Sequence, residues 1–182
     1  MRHLQLTTWL APLLLALTAC RSTPTYGPPT LMPSTVGDVA RAHTQGGIYL
    51  TSQPSAEAFE AAKAAGVVTV IDQRGDAETP EFDERAVVTG LGLEYHNPTF
   101  GGPLPLTDEV LDETRALLRD APKPLLIHCA SANRTGTVWL AYRVLDCDVP
   151  IDEALIEAQQ VGLRSEKNTE YVLDYVRRNS DG

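Results

Sequence analysis

The sequence is poor in positive charge, in metal-ligand patterns and in long apolar runs. Its 15 basic residues are outnumbered by 24 acidic ones, which gives a formal net charge of −9. A chain this acidic is a poor candidate for binding nucleic acid or an anionic membrane surface. His43 and His96 have no metal-ligand spacing to each other or to a cysteine, so we assign no metal site.

No apolar run reaches the roughly 20 residues that a membrane-spanning helix needs. Residues 10–17 form a shorter run after a basic start, which is the pattern of a signal peptide over residues 1–19. The run ends in Leu17-Thr18-Ala19-Cys20, which resembles the lipobox of bacterial lipoproteins. That resemblance implies lipidation of Cys20, and Arg21 favours the periplasm-facing side of the outer membrane. An ordinary secretory peptide is the alternative.

The rest of the chain has the composition of one globular domain. Of its residues 43% are hydrophobic and 21% are charged, as in ordinary folded domains. Residues 20–44 are rich in proline, serine and threonine, which predicts a tether. We therefore divide the chain into a signal peptide over 1–19, a lipidated tether over 20–44 and a single domain over 45–182. The mature chain lacks one basic residue of the signal peptide and has a net charge of −10.

Strand and helix patterns alternate along the domain. The strand candidates are residues 48–50, 67–71, 93–96 and 125–128. Helices are predicted to begin at Ser55 and Thr107, and to cover 134–147, 151–160 and 168–178. The alternation predicts an α/β fold with a mainly parallel sheet of four to five strands flanked by helices. In such sheets the binding site lies at the carboxyl ends of the strands.

The segment from His128 to Gly136 follows an apolar strand and opens a buried helix. Backbone N–H groups at a helix N-terminus form an electropositive site for anions. Arg134 adds a planar fork that suits a tetrahedral oxyanion. The same field favours the thiolate of Cys129, which is its nucleophilic form. Further side-chain donors are offered by Ser131, Asn133 and Thr135.

This segment resembles the signature loop of cysteine-dependent protein tyrosine phosphatases, in which His-Cys ends a strand and Arg is followed by Ser or Thr. Within that superfamily the chain resembles most closely the beta-lactamase-hydrolase-like phosphatase group. Residues 48–55 and 70–74 share that group's pattern, and the resemblance covers roughly residues 45–175. It implies a tyrosine-phosphatase-like fold and a phosphomonoester hydrolase.

The resemblance also implies a role for each residue of the loop. Cys129 attacks phosphorus to form a cysteinyl-phosphate, His128 orients the loop, and Thr135 helps the thiolate to leave. The phosphate oxygens are held by Arg134 and by the backbone of Ala130, Ser131, Ala132 and Asn133. A phosphorylated small molecule or protein is the implied substrate, without a metal or an organic cofactor.

Two further side chains are candidates for substrate contacts. Gln53 lies at a strand–helix turn on the presumed active edge. Arg74 follows the second predicted strand and either lines the anion site or pairs with a carboxylate such as Asp76 or Glu78.

Two departures from the phosphatase pattern keep other functions open. Four residues separate Cys129 from Arg134, whereas the usual phosphatase loop has five. Rhodanese-type sulfurtransferases also have a short loop, so sulfur transfer is the first alternative. Ala132 stands where the family usually has glycine, and a positive φ there would cost alanine about 1 kcal/mol. A non-catalytic anion-binding lipoprotein is the second alternative.

The general acid has no clear signal in the sequence. Related enzymes use an aspartate on a loop upstream of the cysteine, and Asp108 is the nearest carboxylate in the corresponding stretch 97–109. We favour the alternative that Asp108 complements the dipole in the first turn of a helix. Asp76 and Glu78 are further candidates.

Cys147 follows Cys129 by 18 residues, at the far end of the predicted buried helix. That helix would hold the two cysteines about 20 Å apart, and a disulfide needs Cα atoms within about 7 Å. We therefore interpret Cys147 as a small apolar core residue.

Overall fold

One six-stranded sheet organises the chain in the computed structural model, which describes residues 30–78 and 82–180. The sheet has the order β1-β2-β3-β6-β4-β5. Its strands are β1 (Met32–Pro33), β2 (Ala42–Gln45), β3 (Ile48–Thr51), β4 (Thr69–Asp72), β5 (Glu94–His96) and β6 (Leu125–His128). The last four pair in parallel, whereas β1, β2 and β3 pair antiparallel. The predicted α/β class and all four predicted strands are confirmed.

The strands β1 and β2 lie inside the segment that the sequence analysis assigns to the tether. Gly46 and Gly47 have φ of 57° and 81° and form a two-residue turn that folds β2 back onto β3, as such turns do in hairpins. Val36 and Ala42 are buried. The tether boundary at residue 44 and the count of four to five strands are therefore corrected, because this hairpin extends the sheet by two strands.

Six α-helices surround the sheet. They are α1 (Ala56–Ala64), α2 (Glu84–Gly90), α3 (Asp108–Asp120), α4 (Asn133–Leu145), α5 (Ile151–Val161) and α6 (Glu166–Asn179). Ser55 and Thr107 cap α1 and α3 as predicted, each accepting a hydrogen bond from a backbone N–H. The sequence analysis missed α2, although Asp83 is a regular N-cap whose side chain accepts from the backbone N–H of Ala86.

Apolar side chains cover both faces of the sheet. Leu125 and Ile127 of β6 belong to the core formed with α3, α4, α5 and α6, whereas Leu126 belongs to the core formed with α1 and α2. This alternation follows from the two-residue period of a strand and explains the continuous apolar runs of β4 and β6. The helix α4 is central, with eight consecutive buried residues from Arg134 to Ala141.

None of the helices within residues 30–78 and 82–180 is long and apolar enough to cross a membrane. The predicted signal peptide, Cys20 and the first part of the predicted tether lie outside the described residues.

Candidate active site

The loop between β6 and α4 lies at the carboxyl ends of three adjacent strands. The backbone N–H of Gln73 donates to the carbonyl of His128 at 3.0 Å, and that of Gln53 donates to the carbonyl of Ala130 at 3.4 Å. These bonds attach the loop to the segments that follow β4 and β3. Cys129 is a free, buried thiol at the start of the loop. The loop therefore lies at the edge of the sheet where the sequence analysis predicts the site.

The backbone of the loop is rich in unpaired donors. Within the part of the chain that the structure describes, no acceptor receives a hydrogen bond from the backbone N–H groups of residues 130–134. Ala130, Ser131, Asn133 and Arg134 line a cavity of about 650 Å³. The loop therefore has the free donors that an oxyanion requires.

Ala132 adopts the left-handed conformation, with φ of 65° and ψ of 3°. This is the positive φ that the sequence analysis considered for the position where related loops have glycine. The side chain is fully buried and packs against Gly162, where an added Cβ would lie 3.0 Å from the Cβ of Ala132. The backbone strain of about 1 kcal/mol is thus opposed by the burial of one methyl group, worth about 0.8 kcal/mol.

We expect Ala132→Gly to change the free energy of unfolding by less than about 1 kcal/mol, because relief of strain offsets the lost methyl and the added backbone freedom. Ala158→Gly, at a buried position within α5, is the control and should cost about 2 kcal/mol. Urea denaturation measures both. Equal losses in the two variants would contradict the strain at Ala132.

Arg134 lies in the first turn of α4, and its guanidinium donates hydrogen bonds to four oxygen atoms. Its Nη1 donates to the carbonyls of Gln73 and Phe100 at 3.1 and 2.7 Å. Nη1 and Nη2 also bind the two oxygens of Glu78 at 2.6 and 2.5 Å. Nε has no oxygen acceptor within residues 30–78 and 82–180, and the sulfur of Cys129 lies within hydrogen-bonding reach of the guanidinium. The Nε–Nη2 edge therefore remains available as a fork for an anion.

Glu78, which the sequence analysis named as a candidate acid and as a possible partner of Arg74, is the carboxylate partner of Arg134. The hydrogen bond from Arg134 lowers the pKa of Glu78 below its ordinary value. Burial disfavours the charged guanidinium, but the bond to Glu78 and the neighbouring Cys129 outweigh it and raise the pKa of Arg134. At neutral pH the pair is therefore ionised, and Glu78 fixes the orientation of Arg134.

Three predicted site residues meet at a carboxylate that the sequence analysis missed. Glu84, the buried first residue of α2, accepts from Gln53 at 2.9 Å and from Arg74 at 2.6 Å. The Nε2 of His128 lies 2.9 Å from its other oxygen. Gln53 and Arg74 therefore both bind Glu84. The structure does not place either among the residues that line the loop cavity. Only the helix start at Asp83 and Glu84 could have indicated this residue.

Arg74 pairs with carboxylates, as one of its two predicted roles requires, but the partners differ from Asp76 and Glu78. Its guanidinium binds both oxygens of Asp72 at 3.0 and 2.9 Å, and only the backbone carbonyl of Glu78. The hydroxyl of Tyr95 donates to Asp72 at 3.0 Å. The result is a buried ion-pair network beneath the loop.

Asp72, Glu84 and His128 also have ligand atoms within 4.8 Å of one another. Arg74 lies between the two carboxylates, 2.9 Å from one and 2.6 Å from the other. Its positive charge already neutralises both carboxylates. We interpret the group as a structural network.

The three polar side chains of the loop serve mainly as scaffold contacts. The Oδ1 of Asn133 accepts from the backbone N–H groups of Arg164 and Ser165 at 2.8 and 3.0 Å. The hydroxyl of Thr135 donates to the carbonyl of Thr51 at 3.4 Å. The hydroxyl of Ser131 accepts from the guanidinium of Arg164 at 2.6 Å.

Asp108 lies in the first turn of α3, as the favoured alternative predicts. Its carboxylate accepts from Arg178 at 2.7 and 3.1 Å and from the hydroxyl of Tyr171 at 2.9 Å. The hydrogen bond from Arg178 lowers the pKa of Asp108 below its ordinary value. The structure thus places Asp108 with α6, and it is not among the residues that line the loop cavity.

We expect Asp108→Asn to keep both limbs of any pH–rate profile, because a paired carboxylate away from the loop supplies no proton to the reaction. The measurement is kcat/KM for an aryl phosphate between pH 4 and 9. Loss of the basic limb in this variant alone would make Asp108 the acid.

Solved structures with tyrosine-phosphatase-like folds are similar to the chain. Tk-PTP in its active form aligns with a TM-score of 0.62 and 21% identity, covering 74% of this chain and 93% of Tk-PTP. The core catalytic domain of the PP-IP phosphatase SIW14 from S. cerevisiae, in complex with citrate, has a TM-score of 0.62 and 19% identity over 86% of this chain and 94% of its own. PTPMT1 in complex with PI(5)P has a TM-score of 0.60 and 16% identity over 74% and 92%.

No family model matches the sequence, and no curated protein matches it. At these low sequence identities, the structural similarity shows a common fold. The chain therefore has a single α/β domain of the tyrosine-phosphatase-like type, as the sequence analysis predicts.

Proposed function

We propose that the chain is a cysteine-dependent phosphomonoester hydrolase that acts through a cysteinyl-phosphate. The observation that carries this proposal is a loop that begins at the buried Cys129 and whose five backbone N–H groups, from residues 130–134, have no acceptor among the described residues. The available edge of Arg134 adds a bidentate donor beside them. Donors that are oriented before the reaction stabilise the charge that develops on the phosphoryl oxygens.

The reaction has two steps on the same loop. In the first, the thiolate of Cys129 forms a bond to phosphorus while the ester P–O bond breaks, and the leaving oxygen takes up a proton from water. In the second, water attacks phosphorus, the P–S bond breaks, and orthophosphate leaves with the thiolate restored. Of the three carboxylates considered as acids, only Glu78 lines the loop cavity, and its ionised pairing with Arg134 leaves it without a proton to donate.

We expect Glu78→Gln to lower kcat/KM by about 10- to 100-fold, because small displacements of a catalytic group have effects of that size. The variant keeps the size of the side chain but loses the charge that orients Arg134. Steady-state kinetics with an aryl phosphate measure the effect, and Asp76→Asn is the control at a neighbouring carboxylate for which the structure gives no ion pair. A wild-type rate for Glu78→Gln would show that Arg134 needs no such partner.

The substrate is proposed to be a phosphorylated small molecule or protein. Two of the similar structures involve phosphorylated small molecules, namely the PP-IP phosphatase SIW14 and PTPMT1 in complex with PI(5)P. These similarities support the small-molecule class.

Sulfur transfer is the second candidate, because the loop has only four residues between Cys129 and Arg134. The test assays the reduced full chain in parallel for hydrolysis of p-nitrophenyl phosphate and for sulfur transfer from thiosulfate to cyanide. Release of phosphate supports the phosphatase. Formation of thiocyanate alone would replace it with the sulfurtransferase, and silence in both assays would favour an anion-binding protein.

We also propose that the chain is an envelope lipoprotein, lipidated at Cys20 and facing the periplasm from the outer membrane. The pattern of residues 1–20 supports this proposal. Labelling with a radioactive fatty acid is expected to mark the wild-type chain and to spare the Cys20→Ala variant. Absence of label in the wild type would refute lipidation.

A further inference from the structure

We propose that Arg164 forms a second anion subsite beside the Cys129 loop, and that the substrate carries a second phosphate group next to the one that is hydrolysed. This inference rests on the proposed phosphatase function and narrows its substrate class. Arg164 lies between α5 and α6, far in sequence from the loop, and nothing in the sequence pattern marks it.

The guanidinium of Arg164 is held directly against the loop. Its Nη2 donates to the hydroxyl of Ser131 at 2.6 Å, and its Nη1 donates to the carbonyls of Ser131 and Gly162 at 3.3 and 3.2 Å. The backbone N–H of Arg164 is fixed by Asn133 at 2.8 Å. A side chain that is normally mobile is thus oriented before any ligand arrives, which lowers the entropic cost of binding.

The loop cavity has a net positive charge, and that charge comes from Arg164. The lining includes three ionised side chains, Glu78, Arg134 and Arg164. Glu78 neutralises Arg134 through two hydrogen bonds. Arg164 has no carboxylate within 4.0 Å among the described residues. In a chain of net charge −9, such a cation at the rim of an anion site provides the local field that an additional anionic group requires.

The loop cavity itself extends from the loop to Arg164. Its volume is about 650 Å³, and its lining includes Ala130, Ser131 and Arg134 as well as Arg164 and Ser165. A substrate with its reacting phosphate on the loop therefore has room for a second group toward Arg164. A guanidinium binds a phosphate through two parallel N–H donors, which favours a bisphosphate or pyrophosphate over an isolated phosphomonoester.

The test compares two ligands that differ by one phosphonate group and cannot be hydrolysed, methylphosphonate and methylenediphosphonate. Binding to the full chain carrying Cys129→Ser is measured by titration calorimetry. We expect the diphosphonate to bind at least tenfold more tightly, since a charge-assisted hydrogen bond contributes about that factor. The two equivalent ends of the diphosphonate account for only twofold of this preference.

Arg164→Gln should reduce the preference to about twofold, and Arg164→Lys should retain part of it, because lysine keeps the charge without the fork. Arg177→Gln, an exposed position near the end of α6, removes the same charge elsewhere and should leave the preference intact. The readout is the ratio of the two affinities. Damage to the loop that weakens the binding of both ligands equally therefore leaves this ratio unchanged.

The outcomes separate the subsite from the function. No preference in the chain that carries Cys129→Ser alone, or an unchanged preference when Arg164→Gln is added, would overturn the subsite while Cys129-dependent hydrolysis of p-nitrophenyl phosphate still supports the phosphatase. If neither phosphonate binds and no phosphate is released from p-nitrophenyl phosphate, both the Arg164 subsite and the phosphatase function are refuted.

Discussion

Phosphate release by the Cys129→Ser variant is expected to fall by about 10⁴-fold or more. A thiolate is the attacking species in this chemistry, and a serine hydroxyl in the same place is a far weaker nucleophile at neutral pH. Removal of the nucleophile from a hydrolase lowers kcat by up to about 10⁶-fold. The measurement is phosphate release from p-nitrophenyl phosphate under reducing conditions, with folding of the variant checked by circular dichroism.

Cys147→Ser is the matched control. Cys147 is the other free thiol in the part of the chain that the structure describes, and it lies just beyond the far end of α4. We expect its variant to retain wild-type activity. Acid quenching during turnover should also trap a phosphoryl group on the peptide that contains Cys129. Equal rates for the wild type and Cys129→Ser would eliminate the covalent mechanism.

Replacing Arg74 with methionine is expected to lower the free energy of unfolding by about 3–5 kcal/mol. Arg74 is buried between Asp72 and Glu84, at 2.9 and 2.6 Å, and methionine removes the cation while leaving both carboxylates in place. Breaking a buried ion pair on one side has a cost of this size, because the remaining charge is left without compensation. Urea denaturation measures it. Arg177→Met, at an exposed residue, should change stability by no more than about 0.5 kcal/mol.

The loss in Arg74→Met should depend on pH. Burial acts to raise the pKa of Asp72, but the nearby His128 and the hydrogen bonds from Arg74 outweigh it and hold the pKa below its ordinary value. A lowered pKa adds stability above the unfolded pKa, and this stability is lost as the pH falls through the folded pKa. The difference between wild type and variant should therefore be largest at neutral pH and shrink in acid. A constant difference across this range would show that the loss comes from packing alone.

Hydrophobic periodicity and local caps were sufficient to predict most of the fold. The continuous apolar runs of β4 and β6 indicate a sheet that is covered on both faces. Ser55 and Thr107 indicate the starts of two helices, because each side chain accepts a hydrogen bond from the backbone N–H three residues later. The loop from Cys129 to Arg134 is equally local, because one strand end and one helix N-terminus produce its field. The strands β1 and β2 were missed because the proline- and threonine-rich composition of their surroundings outweighed the Gly46-Gly47 turn signal.

The partners of the site residues were decided by tertiary structure. Glu78 and Glu84 reach Arg134 and His128 from 56 and 44 residues away, and Arg164 reaches Ser131 across 33. No periodicity specifies which carboxylate meets which cation, since that choice depends on how β4, β6 and the helices are stacked. The sequence alone thus determined most of the elements and the position of the loop from Cys129 to Arg134, whereas only the packed sheet decided which carboxylate orients Arg134 and left Arg164 without one among the described residues.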